Sequence, residues 1–291
     1  MARRNNAHCL NKLMWFLAFL IFFLTPVVSR ADTGNPPSDT PVLVLYAFSE
    51  EGAQLREEMC IEETDTVLGR AIYRGDLSGE PIVLAESGVG LINAAMTSQA
   101  LIDLYRPRAV VFTGIAGAID TSVHIGDIVI CSRWRTHDYG YYGADGLEPS
   151  PVRLYVPGED SVRQVFEFVV DSSFLEAAHT LLETELNLEL ISGRVPRLLI
   201  GGCGVSGNSF IDSADKRRWL SKTFDALITD MESAAVGHVC TANGLPFVIF
   251  RSASDLAGGS GSESARAEMS RFLEIAATNS ARMLLAFLER L

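Results

Sequence analysis

The sequence predicts an α/β fold: a three-layer α/β/α sandwich around a central, mixed but largely parallel sheet. Two observations carry this. Short apolar runs rich in β-branched residues alternate with amphipathic helical patterns along the chain, and alternation of that kind implies parallel strands joined by helical crossovers. The runs are also apolar at successive positions, as expected of strands covered on both faces. With 291 residues, 48% of them hydrophobic, the chain is long enough for one large domain.

In order, "PVLVLYA" (41–47), "PIVLAES" (81–87), "RAVVFTG" (108–114), "GDIVICS" (126–132), "RLLIGGCGV" (197–205), "DALITDM" (225–231) and "PFVIFRSAS" (246–254) read as strands. Helices are expected over 91–106 and 232–244, with a long closing helix near 264–290. No internal repeat or low-complexity tract interrupts the pattern.

Residues 1–31 stand apart. Arg3, Arg4 and Lys12 precede the apolar run "LMWFLAFLIFFL", and "VVSRA" offers Ser29 and Ala31 as small residues of a cleavage site. The run has the length of a signal-peptide core and falls short of the roughly 20 residues of a membrane span. The expectation is a signal peptide over 1–31, a flexible lead-in over 32–40 and a single domain over 41–291, exported to the periplasm or secreted and free of the membrane after cleavage. An uncleaved N-terminal anchor is the rival reading. The leader holds four basic residues and no acidic one, so the remaining chain has 20 basic against 36 acidic residues, a net charge of −16. Such a surface repels nucleic acid and anionic membranes. Cys60, Cys131, Cys203 and Cys240 show no metal-ligand spacing, and the last three lie in apolar patterns where buried free thiols are at least as plausible as bridges.

In a sheet of this type, function gathers at the carboxyl ends of strands. Three acids fall there, Glu51, Glu232 and Asp255, beside two glycine turns, which suggests a polar pocket that handles protons. Each acid has a plainer reading as a helix cap. The glycine stretches "SGVGLINAA" (87–95) and "TGIAGAID" (113–120) match neither GxGxxG nor GxxxxGK[ST], so tight strand–helix turns explain them as well as a phosphate cradle does. No GxSxG occurs and the five histidines are scattered.

Taken in order, "AFSEEGAQL", "ESGVGLINAA", "TGIAGAID", "HIGDIVI", "RTHDYG", "GVSGNSFI", "ITDMESAAVGHVC" and "FRSASDLAG" resemble the nucleoside phosphorylase superfamily, and within it the 5′-methylthioadenosine/S-adenosylhomocysteine nucleosidases. The resemblance covers roughly residues 41–290 and implies hydrolysis of the N-glycosidic bond of a small-molecule purine nucleoside with release of adenine. It assigns Asp255 as the acid that protonates N7 of the base and Glu51 as the group that activates water. Glu232 would bind the ribose hydroxyls, with Met231 under the sugar. Phe210 and Ile211 would hold the adenine by stacking and by backbone hydrogen bonds, with Ser254 in the same substrate-binding set. Asp230 stands where these nucleosidases carry Glu, and reads better as a cap. His137 and Asp138 fall near the subunit boundary of a homodimer. No cofactor or metal is required, since protonation and water activation suffice.

The phosphorylases of this superfamily flank the "TG" turn with Arg and Ser and carry a further Arg in the first loop. Here those places hold Phe112, Ile115 and the "AFSEEG" loop, none cationic, which favours water as nucleophile. By the same resemblance, Ile115 stands where the nucleosidases tend to have Ser or Thr, a change expected either to slow catalysis or to mark a divergent member. The aromatic segment 133–172, with Trp134, Tyr139, Tyr141 and Tyr142, is expected to line a pocket for the 5′-substituent or to form an oligomer interface. A phosphate-dependent phosphorylase and a non-catalytic exported nucleoside-binding protein are the alternatives.

Overall fold

The structure, a computed structural model, describes residues 40–291. The expected signal peptide over 1–31 and nearly all of the lead-in lie outside the described residues. No helix among the described residues is long and apolar enough to cross a membrane.

The first part of the chain runs β1 (Val42–Tyr46), α1 (Ala53–Glu58), β2 (Cys60–Val67), β3 (Arg70–Leu77), β4 (Glu80–Glu86), α2 (Leu91–Tyr105), β5 (Ala109–Ala118), β6 (Ile128–Ile130) and β7 (Arg133–Thr136). Short strands follow: β8 (Gly140–Gly143), β9 (Gly146–Pro149), β10 (Val152–Leu154), β11 (Arg163–Val165) and β12 (Phe168–Val169). The remainder is α3 (Ser172–Thr180), β13 (Leu198–Ile200), β14 (Cys203–Ser206), α4 (Ala214–Phe224), β15 (Ala226–Asp230), α5 (Ser233–Asn243), β16 (Phe247–Leu256) and α6 (Ala265–Leu288).

One mixed sheet organises these elements, in the order β12-β7-β14-β15-β5-β1-β4-β3-β2, with β16 joined to β5 and β6, and β13 to β6. Pairs among β7, β14 and β15, and among β4, β1, β5 and β16, are parallel. β15 meets β5 antiparallel, and β2, β3 and β12 add antiparallel edges. α2 packs on α5, and α1 packs on α6, which also lies against β5 and β16. β1 and β5 are buried at every position, as their unbroken apolar sequence requires.

Three local readings are corrected and one element is added. "RLLIGGCGV" is two strands, because Gly201 and Gly202 adopt φ of 105° and 75° and break the run between β13 and β14. The glycines of "TGIAG" lie inside β5, and no helix follows them, so this stretch is neither a phosphate cradle nor a strand–helix turn. The β2–β3 hairpin carries no two-sided apolar signature: β2 is mostly exposed, and its pairing is fixed by the Leu68–Gly69 turn at positive φ. Trp134 is fully buried in the core and lines no pocket or interface. Gly204 is the reason it fits, since a Cβ there would lie 2.5 Å from the indole ring. Tyr139, Tyr141 and Tyr142 are exposed, on or beside the separate β8–β9 hairpin.

Among the described residues all four cysteines are free, with Cys60 exposed and Cys131, Cys203 and Cys240 buried.

Gly204→Ala is expected to lower unfolding free energy by about 1–3 kcal/mol through overpacking against Trp134. Denaturant unfolding followed by tryptophan fluorescence measures it; an unchanged midpoint would show that the indole moves aside freely.

Candidate active site

The strand ends converge on a cavity of about 380 Å³, a size suited to a small organic ligand. Glu51, Glu232 and Asp255 all line it, as do Met231, Phe210 and Ser254. Ile211 faces instead a small adjoining compartment, its side chain packed with Ile119, Val205 and Leu220. The structure therefore brings together every residue singled out for the site, with Ile211 at its margin.

Glu51 sits in the turn that follows β1 and is buried. Its Oε2 accepts a hydrogen bond from Ala47 N at 2.6 Å and its Oε1 one from Ile115 N at 2.8 Å. Burial raises its pKa to about 7 against the opposing pull of Arg251 and the two backbone donors. Its neighbour Glu50 is exposed. Asp255 lies near the end of β16 rather than at a helix cap. The β16–β5 register shifts between Ala253 and Asp255, which leaves Ser254 as the extra residue, and a bulge of this kind re-aims the side chains beside it. Ser254 Oγ donates to Asp255 Oδ2 at 2.8 Å, while Oδ1 has no partner among the described residues. Burial lifts the pKa of Asp255 to about 7. Gly117 leaves room for it, because a Cβ there would stand 3.0 Å from Oδ1.

Asp230 performs the capping that the sequence suggested. Its Oδ1 accepts from the backbone N–H of Glu232 and of Ser233, each at 3.2 Å. That frees Glu232, at the N-cap position of α5 but making no side-chain cap bond. Its Oε1 accepts from Gly90 N at 2.9 Å, which ties the tight β4–α2 turn to the site. Burial raises its pKa to about 8, with Arg251 opposing and the nearby Asp230 and Glu51 adding to the rise.

The residue that sequence reasoning missed is Arg251. It is fully buried on β16 and reaches three acids: Asp230 at 2.7 Å, Glu232 at 3.4 Å and Glu51 at 3.6 Å. Its guanidinium carbon lies 4.2 Å from the centre of the Phe112 ring, and Gly114 makes space for it, since a Cβ there would fall 2.1 Å from Nη1. A cation thus reaches the site from β16, apart from the places at Phe112, Ile115 and the first loop, which carry none. A charged residue inside the apolar run "PFVIFRSAS" was the signal that could have found it, because an unpaired charge is not buried there. Its Nε faces Asp230 and its Nη2 faces Glu232, while Nη1, 3.6 Å from Glu51, has no hydrogen-bond partner among the described residues.

Ile115 packs with Phe48, Met269 and Leu273, so the wall beyond Glu51 is apolar. His137 is buried away from the cavity, against Gly207, and burial pushes its pKa down. Asp138 accepts from Asn208 N at 2.9 Å.

Residues 41–289 match the family described as the Phosphorylase superfamily. The 5′-methylthioadenosine/S-adenosylhomocysteine nucleosidase of Tolumonas auensis is 32% identical over 253 residues, covering 85% of this chain and 98% of that one. The corresponding nucleosidase of Bacillus cereus is 30% identical, with 86% and 99% covered. Among solved structures, the Neisseria meningitidis nucleosidase in complex with methylthio-immucillin-A superposes with a TM-score of 0.71 at 28% identity, covering 87% of this chain and all of that one. The matched span takes in every residue of the site just described, and on that ground the chain belongs to the phosphorylase superfamily, where it is similar to 5′-methylthioadenosine/S-adenosylhomocysteine nucleosidases.

Proposed function

We propose that the protein hydrolyses the N-glycosidic bond of 5′-methylthioadenosine- and S-adenosylhomocysteine-type nucleosides, releasing adenine. The observation that carries this is a pair of buried carboxyls, Glu51 and Asp255, facing one cavity with opposite tasks available near neutral pH.

Cleavage moves the C1′–N9 electron pair onto the purine and leaves the ribose oxocarbenium-like. Asp255, protonated below about pH 7, delivers its proton to N7 from the unpartnered Oδ1 and so neutralises the leaving base. Glu51, ionised above about pH 7, takes the proton of the water that adds to C1′. Glu232 keeps a proton up to about pH 8, so it both donates to and accepts from ribose hydroxyls, with Met231 beneath the sugar. Phe210, partly exposed at the cavity wall, stacks on the base, and backbone groups at Ile211 bond its edge. The apolar wall of Ile115, Met269 and Leu273 suits a thioether substituent. Water rather than phosphate is supported by Arg251, whose guanidinium is held among acids.

The protein acts as a homodimer, with the exposed Tyr141 and Tyr142 as candidate contacts, and outside the cytoplasm after loss of residues 1–31. The basic, then apolar, then small-residue pattern of that leader supports export.

Adenine release from methylthioadenosine, followed by chromatography on residues 32–291, is expected to proceed equally with and without phosphate. Release only in the presence of phosphate would mark a phosphorylase. Glu51→Gln and Asp255→Asn are each expected to lower kcat by about 10²–10⁴-fold; turnover left intact would show that other groups move the protons.

The rate should follow a bell in pH. kcat/KM rises as Glu51 ionises and falls as Asp255 loses its proton, so with both near 7 the maximum lies close to pH 7, and the apparent values belong to the pair. A plateau extending to pH 9 would exclude Asp255 as the acid.

Stability carries a matching signature. Asp255 is held above its ordinary 3.8 in the folded chain, so the native state binds a proton that the unfolded chain releases. Its contribution is full below about pH 4 and is lost as pH rises through about 7. Thermal unfolding between pH 4 and 9 should therefore lose more stability on the alkaline side in the wild type than in Asp255→Asn; parallel curves would contradict the raised value.

A further inference from the structure

The reading above leaves one polar group at the site without a task. Thr229 on β15 is 6% exposed, and its hydroxyl has no hydrogen-bond partner among the described residues. A buried hydroxyl left unpaired costs free energy, and this one lines both the main cavity and the small compartment beside it.

Its position follows from strand register. Thr229 stands opposite Gly117 in the antiparallel β15–β5 pair, and directly opposed side chains on one face start about 4.5–5.5 Å apart at Cβ. The place a Gly117 Cβ would occupy is 3.0 Å from Asp255 Oδ1. Two unpartnered buried oxygens, Thr229 Oγ1 and Asp255 Oδ1, therefore border the same compartment, whose volume is about 30 Å³ and whose lining includes Phe210 and Ile211. A space of that size suits one small polar group.

The chemistry of the purine edge matches two adjacent contacts. N7 and the substituent on C6 are neighbours, and the substituent is a donor when it is an amine and an acceptor when it is an oxygen. With Asp255 Oδ1 serving N7, the C6 substituent beside it has Thr229 within the same small compartment as a polar partner. We propose that Thr229 binds the C6 substituent of the purine, and that its hydroxyl admits both 6-amino and 6-oxo purine nucleosides. A hydroxyl accepts from an amine and donates to a carbonyl with equal ease, whereas an apolar side chain there would serve neither. This rests on the assignment of Asp255 to N7 and adds to it a determinant of base specificity.

The test compares the wild-type protein, Thr229→Val and Thr229→Ser on three 5′-methylthio nucleosides that carry adenine, hypoxanthine or purine unsubstituted at C6. The wild type is expected to cleave the adenine and hypoxanthine substrates with kcat/KM values within about tenfold of each other. Thr229→Val should lose about tenfold on both of these and nothing on the unsubstituted one, as expected for one missing neutral hydrogen bond, while Thr229→Ser stays near wild type. Equal losses on all three, no loss on any, or a wild type that rejects hypoxanthine by about a thousandfold or more would overturn the proposal. If the wild type cleaves none of the three, the hydrolytic reading has failed, and calorimetric affinities for free adenine, hypoxanthine and purine then decide the Thr229 assignment. The same selective loss in Thr229→Val would uphold it, and affinities unaltered by the substitution would overturn it.

Discussion

One guanidinium organises this molecule. Arg251 is buried among Asp230, Glu232 and Glu51, and a single positive charge cannot neutralise three negative ones. The shortest contact goes to Asp230, which also caps α5. Glu51 and Glu232 are left with weaker electrostatic compensation for burial, and both hold their protons to unusually high pH. The shortage of positive charge is what makes a general base available near neutrality. Full pairing would have produced a stable ion network with little appetite for a proton.

The glycines of β5 serve this arrangement by being absent side chains. Gly114 yields its volume to Arg251 and Glu51, and Gly117 yields its volume to Asp255. Both stand in a strand where a glycine weakens the ladder, and both lie next to a charged group that has to approach the backbone closely. Stability is given up locally so that acids from β16 and from the turn after β1 can share one wall of the cavity.

The sheet was legible in the sequence wherever strands are buried on both faces, as β1, β5 and β16 are, because there composition alone carries the signal. It was illegible at the polar β2–β3 hairpin, whose pairing depends on a turn and on a neighbouring strand. α4 was hidden for a related reason: it buries only Leu220 and Phe224 on an otherwise charged surface. The three acids of the site could be read from the ends of strands. Arg251 could not be placed, because the partners that justify a buried cation come from segments about 20 and 200 residues away in sequence and meet only when the sheet closes. Thr229 was silent for the opposite reason: it looks like an ordinary β-former until the lack of any partner for its hydroxyl is seen.

The unpaired cysteines have a consequence of another kind. With Cys131, Cys203 and Cys240 sealed in the interior and unbridged, the described part of the fold draws nothing from sulfur oxidation. Among the described residues no bridge has to be formed or reshuffled to reach the native state. Among the described residues, oxidants meet a single thiol at the surface, Cys60 on the edge strand β2, so within this part of the chain thiol cross-linking is directed to the side where the sheet ends.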